Sequence, residues 1–324
     1  ETNEAEPFLF NHLEQPVELR STIDGHVRFK VQDYDGLSEL VSRHLKYKRV
    51  LDSGASVSVS PPMDVVKNIR HKDLSEWTLP LRGLAETPFF DKGGNLVIEP
   101  GYHADSQTYL AMPPDLAVGR VSATPSTEEV EQAKSLLFDV LGEFPFDGLT
   151  PEDIAAGKSA SYANCIGLIM LPQMREMIDG PTPGHLINKP SPGTGSGLLL
   201  DVASIIWTGK VATTMTVPKR QEEIGKTIIA KLRSGASALI FDNIPDNLDS
   251  DDMAMGIAQG CIDARVLGKN DASAVEPVEV RATWIFGGNN VTMMLFTAGR
   301  PRPGRAGARG AGRGWAGRWS ARAA

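Results

Sequence analysis

The sequence predicts an α/β protein in which a parallel sheet flanked by helices, incomplete at its C-terminus, follows a smaller mixed α+β module. Three observations support this fold class. Apolar strand patterns alternate with amphipathic helix patterns between residues 182 and 291, as they do in doubly wound parallel sheets. A turn-rich segment of short apolar runs precedes them. The residues are 41% hydrophobic and 23% charged, which is the balance of a globular chain with a core.

These patterns divide the 324 residues into three regions. Residues 1–150 are predicted to form a turn-rich α+β module of unknown role, residues 151–297 the sheet domain, and residues 298–324 a disordered Gly/Ala/Arg tail. For the tail we favour a second interpretation, translation of a GC-rich region out of frame, because the sheet domain stops where its last strand is due. The chain begins with Glu1 rather than Met, so we expect a fragment or a processed product.

The charge of the chain is unevenly distributed. The formal net charge is −7, yet the tail holds seven arginines and no Lys, Asp or Glu, so residues 1–297 carry −14. An acidic body is not a broad nucleic-acid platform, although it is compatible with a local basic groove. Two distant cysteines in apolar surroundings fit a reducing compartment, and no apolar run approaches the roughly 18 residues of a membrane helix. We therefore expect a cytoplasmic protein that does not insert into a membrane.

The first region carries several element signals. Alternation predicts a strand at residues 25–34, and helical spacing predicts a helix at residues 37–51. Residues 79–113 are predicted to form a series of β-turns, with a hairpin turn at residues 91–94. Ser126 caps a predicted helix that ends at residue 140, and Glu129 completes a capping box. The apolar positions of that helix predict a buried face made of Val130, Ala133, Leu136, Leu137 and Val140.

The second region alternates between helices and strands. Residues 151–179 are predicted to be mostly helical, with Pro172 inside. Strands are predicted at residues 184–189, 210–217, 237–245 and 279–290, and helices at residues 198–207, 219–235 and 249–263. Gly235 is expected to end the second of these helices. This alternation favours a parallel sheet.

A glycine-rich segment, PSPGTGSG, lies between the first of these strands and the helix that follows it. Gly193, Gly195 and Gly197 let successive backbone N–H groups face phosphate oxygens, and the N-terminus of the helix adds a positive dipole end. Such a loop usually continues with lysine and then Ser or Thr, which bind the phosphates and Mg²⁺. Ser196 and Gly197 stand at those positions here, while Ser196 offers a hydroxyl one position early and Lys189 lies just before the loop. Two interpretations stay open: a phosphate loop, or an ordinary strand-to-helix turn.

Polar residues follow the next strands. Asp242 ends the apolar run ALIFD and is either a ligand on the Mg²⁺ side of a nucleotide or a surface carboxylate after a buried strand. Asn243 stands where a hydrolytic ATPase usually has a Glu that orients water. Asn289 or Asn290, at the end of TWIFGGNN, is a candidate to hold the attacking water, with a turn as the alternative role.

Four blocks of the chain together resemble the ATPase core of helicase-like AAA+ proteins of phages and integrating mobile elements. They are GPTPGHLINKPSPGTGSGLLLDV, LIFDNIP, DARVLGK and VRATWIFGGNNV, and the resemblance is best over residues 160–291. The segment LRGLAETPFFDKGGNLVIEPGYH also resembles the stretch that precedes the ATPase in such proteins. The resemblance implies a fold of the P-loop NTPase type with a degenerate phosphate loop.

The resemblance implies ATP and Mg²⁺ as cofactors, assembly into a homo-oligomeric ring, and movement on DNA, mainly single-stranded, during replication of the element. The residues that it assigns to the nucleotide are Pro192, Gly193, Thr194, Gly195, Ser196, Gly197 and Leu198. It assigns Ser196 and Asp242 to the metal, and Asp242, Asn243 and Asn290 to catalysis. Ser196, Gly197 and Asn243 depart from the common pattern, which argues against hydrolysis. The alternative function is a pseudo-ATPase that binds or scaffolds without turning ATP over.

Overall fold

The computed structural model describes residues 7–22, 27–71, 74–113, 116, 118–119, 121–146, 150–191, 193–245, 248–265 and 275–291. These residues form a mixed α/β protein with eight α-helices and several small sheets. Within them, no helix combines the length and the apolar character needed to cross a lipid bilayer. The predicted tail lies outside the described residues.

Short strands dominate the first region. They are β1 (Leu9–His12), β2 (Gln15–Ser21), β3 (Val27–Val31), β4 (Tyr47–Val50), β5 (Ser56–Val59), β6 (Leu79–Pro80), β7 (Gly83–Ala85), β8 (Phe89–Phe90), β9 (Leu96–Val97), β10 (Gly101–His103) and β11 (Thr108–Leu110). One sheet has the order β3-β2-β1-β6 and another the order β10-β11-β7, while β4 pairs with β5 and β8 with β9. The predicted hairpin turn is confirmed, since residues 91–94 join β8 to β9.

Three helices belong to the first region: α1 (Tyr34–His44), α2 (Met63–His71) and α3 (Thr127–Leu141). Helix α1 begins and ends earlier than the helix predicted at residues 37–51, so those bounds were wrong. Asp33 caps it by accepting a hydrogen bond from Gly36 N at 2.8 Å. After Leu45 the chain becomes extended and enters β4, which pairs with β5. The partner strand decides the conformation of these residues, and a local helical pattern does not contain that information.

Helix α3 is confirmed together with its capping box. Ser126 Oγ accepts a hydrogen bond from Glu129 N at 3.2 Å, and the Glu129 carboxylate accepts one from Ser126 N at 2.7 Å. The predicted buried face is wrong, because Leu136 is 68% exposed and Val140 is 52% exposed. The helix packs through its C-terminal end instead, where Leu141 is fully buried.

The second region alternates between helices and strands. Its helices are α4 (Pro151–Ala155), α5 (Ala160–Met174), α6 (Ser196–Thr208), α7 (Gln221–Arg233) and α8 (Asp251–Gln259), with a 3₁₀ turn at Arg175–Met177. Its strands are β12 (His185–Lys189), β13 (Ala238–Phe241), β14 (Cys261–Arg265), β15 (Val275–Glu279) and β16 (Thr283–Asn289). Pro172 lies inside α5, and Gly235 follows α7 with a φ of 80°, both as predicted.

The central sheet contains three parallel strands in the order β12-β16-β13, so the last strand in sequence lies between the other two. The strand predicted at residues 210–217 is reduced to a single bridge between Met215 and Phe241. Met215 N donates to Ile240 O at 2.8 Å, and Asp242 N donates to Met215 O at 3.0 Å. An extended segment therefore borders β13 on the side away from β16.

Two predicted elements near the end of the domain are present with different bounds. The helix predicted at residues 249–263 is α8, which stops before Gly260, whose φ is 70°, and the following residues form β14. The strand predicted at residues 279–290 is β16, which begins only at Thr283, because Glu279 is the last residue of β15 and pairs with β14. The pairing of β14 with β15 sets both boundaries, and the local sequence pattern does not contain it.

Helices cover both faces of the central sheet. On one face, Phe241 of β13 and Trp284 and Phe286 of β16 pack against α7 and α8. On the other face, Ile240 and Ile285 pack against α5 and α6. This arrangement follows from the alternation of side chains along strands that are buried on both sides.

The first region packs directly on the sheet domain. His12 Nδ1 lies 2.7 Å from Leu81 O, and its Nε2 lies 2.9 Å from Leu232 O at the end of α7. Burial lowers the pKa of His12, against the raising effect of these two carbonyl groups. Lys210, just after α6, forms an ion pair of 2.7 Å with Glu86. These contacts hold the β-rich first region against two of the helices that flank the central sheet.

His185, the first residue of β12, makes the stability of the fold depend on pH. Its Nε2 is buried and has no hydrogen-bond partner among the described residues, and burial lowers the pKa of His185 to about 4. The unfolded chain takes up a proton near pH 6.5, whereas the folded chain does not until about pH 4. The contribution of this residue to stability is therefore complete above pH 6.5 and is lost as the pH falls towards 4.

We expect His185 to remove about 3 kcal/mol from the free energy of unfolding between pH 7 and pH 4. Urea unfolding of the wild type and of His185→Leu at a series of pH values measures this difference. The two curves of stability against pH should diverge below pH 6.5, with the variant flatter, and the comparison cancels the contribution of His12. Parallel curves would show that His185 is not buried in its neutral form.

Candidate functional site

Three segments meet at one edge of the central sheet. Lys189 ends β12 opposite Asn289 of β16, and β13 reaches the same edge at Phe241, directly before Asp242. Ligands of open parallel sheets bind at the carboxyl ends of the strands, so this edge is the expected place for a site. Side chains alternate along a strand, so Lys189, Asn289 and Asp242 lie on the face that packs against α6.

The glycine segment forms a turn between β12 and α6. Gly193 and Gly195 have φ values of 84° and 85°, a conformation that glycine adopts without strain. Gly195 is the N-cap of α6, which begins at Ser196. The first N–H groups of a helix have no partner inside the helix, so they are available to a ligand at this edge. Pro192, which was assigned to the nucleotide, lies outside the described residues.

A lysine that precedes the loop reaches into it. Lys189 Nζ donates a hydrogen bond to Ser196 Oγ at 2.9 Å and lies 3.6 Å from Asp242 Oδ1. The side chains of Lys189 and Asp242 are 12% and 25% exposed, so water screens this ion pair less than a surface pair. Ser196 thus stands at the lysine position of the loop, and β12 supplies a lysine from the other side.

Two features besides Lys189 set the position of the Asp242 carboxylate. Its Oδ1 accepts a hydrogen bond from Asn243 N at 2.9 Å. Gly287 of β16 lies directly beside the carboxylate, because a Cβ at this position would come within 2.5 Å of Asp242 Oδ1. The orientation of Asp242 towards Lys189 therefore requires a glycine in the middle strand.

Replacing Gly287 with alanine is expected to push the Asp242 carboxylate away from Lys189. The new methyl group meets the end of a side chain, so the carboxylate moves and the strand remains. For the ATP site that the resemblance implies, we expect about tenfold weaker binding, roughly 1.4 kcal/mol, in a titration followed by calorimetry. Gly167→Ala in α5 is the matched control, because its Cβ meets no atom within 4 Å. Equal affinities for the two variants would show that Asp242 does not organise the site.

Asn243 also borders a second cavity. Asn243 is exposed, has a φ of 53°, and lines a cavity of about 340 Å³ together with Val217 and Lys219. The residues that line this cavity belong to neither the glycine segment nor α6. Asn243 thus contributes its backbone N–H to Asp242 and borders a cavity at the start of α7.

The two asparagines at the end of β16 have different positions. Asn290 N donates to Lys189 O at 2.9 Å, and Asn290 Nδ2 donates to Pro190 O at 3.0 Å. These bonds tie the end of β16 to the start of the loop. Asn289 lies opposite Lys189 in the register, and its Oδ1 is buried with no hydrogen-bond partner in the part of the chain that the structure describes. Of the two, Asn289 is therefore the one on the same face as Asp242.

Thr194, Gly197 and Leu198 are the remaining residues that were assigned to the nucleotide. Thr194 Oγ1 donates to Ser191 O at 3.3 Å and so braces the turn. Gly197 is exposed, and Leu198 is 62% exposed in the first turn of α6. Their backbone N–H groups, rather than their side chains, are what the first turn of α6 offers to a ligand.

Two residues of this edge were not among the predicted site residues. Lys189 carries a weak signal, since it is the last residue of a strand and directly precedes the glycine segment. Gly287 carries no signal in the sequence, because its importance comes from the neighbouring strand that ends at Asp242.

A cavity of about 280 Å³ lies at the opposite edge of the sheet, between the first region and the amino ends of β13 and β16. Its arginines are occupied: Arg82 pairs with Glu279 at 2.8 Å, Arg281 pairs with Glu176 at 3.0 Å, and Arg175 donates to backbone carbonyl groups. The loop edge also has a paired lysine, but it adds the N–H groups of the first turn of α6, which bind anions. The loop edge is therefore the stronger candidate for a phosphate-binding site.

The loop edge fits a phosphate group better than it fits a resident metal ion. Helix N–H groups, the Ser196 hydroxyl and the Lys189 ammonium are all groups that bind phosphate oxygens. The two side chains assigned to Mg²⁺, Ser196 and Asp242, both contact that ammonium already. Among the described residues, no cluster of three or more His, Cys, Asp and Glu side chains is arranged to hold a metal ion.

Comparison with known proteins does not assign the chain to a family, since no family model and no curated protein matches it. The function therefore has to be argued from the geometry of the loop edge.

Proposed function

We propose that the chain binds ATP at the loop edge and acts as a helicase-like AAA+ protein in the replication of phage or mobile-element DNA. The observation that carries the proposal is the convergence of Lys189, Ser196 and Asp242 at the N-terminus of α6. An ordinary strand-to-helix turn does not require a largely buried lysine that connects the end of β12 to the carboxylate after β13.

Each part of the edge has a role in this proposal. Backbone N–H groups of the loop and of the first turn of α6 bind the phosphate oxygens. Lys189 supplies the positive charge that the loop itself lacks, and Asp242 orients that charge. The parallel order β12-β16-β13, with helices on both faces, supports a sheet of the P-loop NTPase type.

The position of Asn243 favours a second candidate function, a pseudo-ATPase that binds ATP without hydrolysing it. Hydrolysis needs a group that orients the attacking water near the terminal phosphate. The residue after Asp242 is Asn243, whose neutral amide is not a general base, and this residue lines the cavity at the start of α7. Slow or absent turnover is the expected consequence.

Single-stranded DNA and further copies of the chain in a ring are the partners that the resemblance implies. The acidic charge of residues 1–297 means that any DNA contact has to be local rather than spread over the surface. The role of residues 1–150 in such an assembly is to brace the helices around the sheet.

Calorimetry with ATP and a radiolabelled turnover assay, each with and without single-stranded DNA, test the proposal. Saturable ATP binding with DNA-stimulated turnover supports the helicase-like function. Saturable binding without turnover supports the pseudo-ATPase. The absence of binding at millimolar ATP removes both.

A further inference from the structure

One positively charged group already lies between the two side chains assigned to the metal. Lys189 Nζ is 2.9 Å from Ser196 Oγ and 3.6 Å from Asp242 Oδ1. The lysine side chain is only 12% exposed, so it is enclosed at this point rather than extended into solvent. Ser196 and Asp242, which would bind a metal cation, therefore already contact the ammonium cation of Lys189.

A resident Mg²⁺ does not fit beside this ammonium. Mg²⁺ requires oxygen ligands at about 2.0–2.1 Å in a nearly ideal octahedron, so it would have to take the place of the ammonium at the same two oxygens. A dication and an ammonium at adjacent points repel each other strongly where water screens them poorly. The edge offers one carboxylate and one hydroxyl, which is a weak set of ligands to offset that repulsion.

We infer that the site takes a nucleoside triphosphate without a divalent cation, with the Lys189 ammonium at the position that Mg²⁺ would otherwise occupy. The inference rests on the proposed nucleotide binding and deepens it. A phosphate that binds the N-terminus of α6 meets the Lys189 ammonium and the Ser196 hydroxyl together. Asp242 keeps the ammonium directed into the site before the ligand arrives.

Two features of the fold support a fixed position for the ammonium. The backbone of Lys189 is held in the sheet by its pairing with Asn289 and by the hydrogen bond from Asn290 N to Lys189 O at 2.9 Å. The Asp242 carboxylate is directed over β16 because Gly287 leaves room for it. Both ends of the ion pair are thus set by the central sheet, independently of any ligand.

The test is calorimetric titration of the full chain with ATP in excess Mg²⁺ and again in EDTA. Chelation should change the affinity of the wild type by less than about threefold. Lys189→Met keeps the length of the side chain and removes its charge. We expect this variant to bind about tenfold or more weakly in EDTA, with Mg²⁺ restoring part of the affinity because the position is now vacant. Lys134→Met, on the exposed face of α3, is the matched control and should behave as the wild type does.

The outcomes separate the inference from the function on which it rests. A wild type that loses tenfold or more of its affinity on chelation overturns the inference and leaves ATP binding standing. No binding in either medium overturns both. Circular dichroism checks the fold of Lys189→Met, and if that variant is unfolded, Lys189→Arg replaces it. Lys189→Arg retains the charge and should bind equally in Mg²⁺ and in EDTA, so a requirement for Mg²⁺ in this variant also overturns the inference.

Discussion

Lys189→Glu is expected to weaken ATP binding by about 100-fold or more, roughly 2.7 kcal/mol. The substitution removes a charged hydrogen-bond donor, which typically contributes about 1.5–3 kcal/mol, and places a second carboxylate beside Asp242. Two carboxylates at the N-terminus of α6 would repel the phosphates that the helix attracts. Calorimetric titration with ATP measures the loss directly.

The control for this charge reversal is Lys134→Glu. Lys134 lies on α3, is 65% exposed and pairs with Glu131 in the same helix. Lys134→Glu changes the net charge by the same amount as Lys189→Glu does. The comparison therefore separates an effect of the loop edge on ATP affinity from an effect of the net charge. A similar loss of affinity in both variants would mean that overall charge, and not the loop edge, governs ATP binding.

Trp284→Ala is expected to lower the free energy of unfolding by about 3–5 kcal/mol. Trp284 is 1% exposed and contacts both Phe241 and Phe286, with nearly parallel rings and ring centroids 6.4 Å and 6.1 Å away. It also packs tightly against α8, since a Cβ at Gly256 would come within 2.6 Å of its ring. Removal of the indole leaves a large cavity in the face of the sheet that carries α7 and α8. Urea unfolding followed by circular dichroism measures the change.

Leu136→Ala serves as the reference for that measurement. Leu136 is 68% exposed on α3, so its truncation removes little buried surface and should change stability by no more than about 0.5 kcal/mol. A loss below about 1 kcal/mol for Trp284→Ala would contradict the aromatic core described for this face.

Elements whose signals are local could be predicted from the sequence. The capping box at Ser126 and Glu129 is formed by residues three apart, and it is confirmed atom by atom. Gly235 ends α7 because the left-handed conformation is a property of the residue itself. The prediction failed where a distant partner decides the outcome. The residues after α8 form β14 because β15 pairs with them. Leu136 and Val140 of α3 are exposed because no other element covers them among the described residues.

The candidate site likewise has features that could be predicted from the sequence and features that could not. The glycine segment, Asp242 and the asparagines after β16 carry patterns that could be recognised, because each stands at the end of an apolar strand. Which asparagine shares a face with Asp242 depends on the register of β16 against β12, and that register is a property of the sheet. That Asn243 borders a cavity at the start of α7 likewise depends on how the chain turns after β13.

The sequence by itself determined that strands alternate with helices, that a glycine turn precedes α6, and that one carboxylate follows a buried strand. Only the tertiary structure decided that Lys189 supplies a positive charge to that turn and that Gly287 makes room for Asp242. The physical reason is that β16 lies between β12 and β13. Lys189, Asp242 and Gly287, from three separate parts of the chain, therefore meet at one edge, and no pattern along the chain records that meeting.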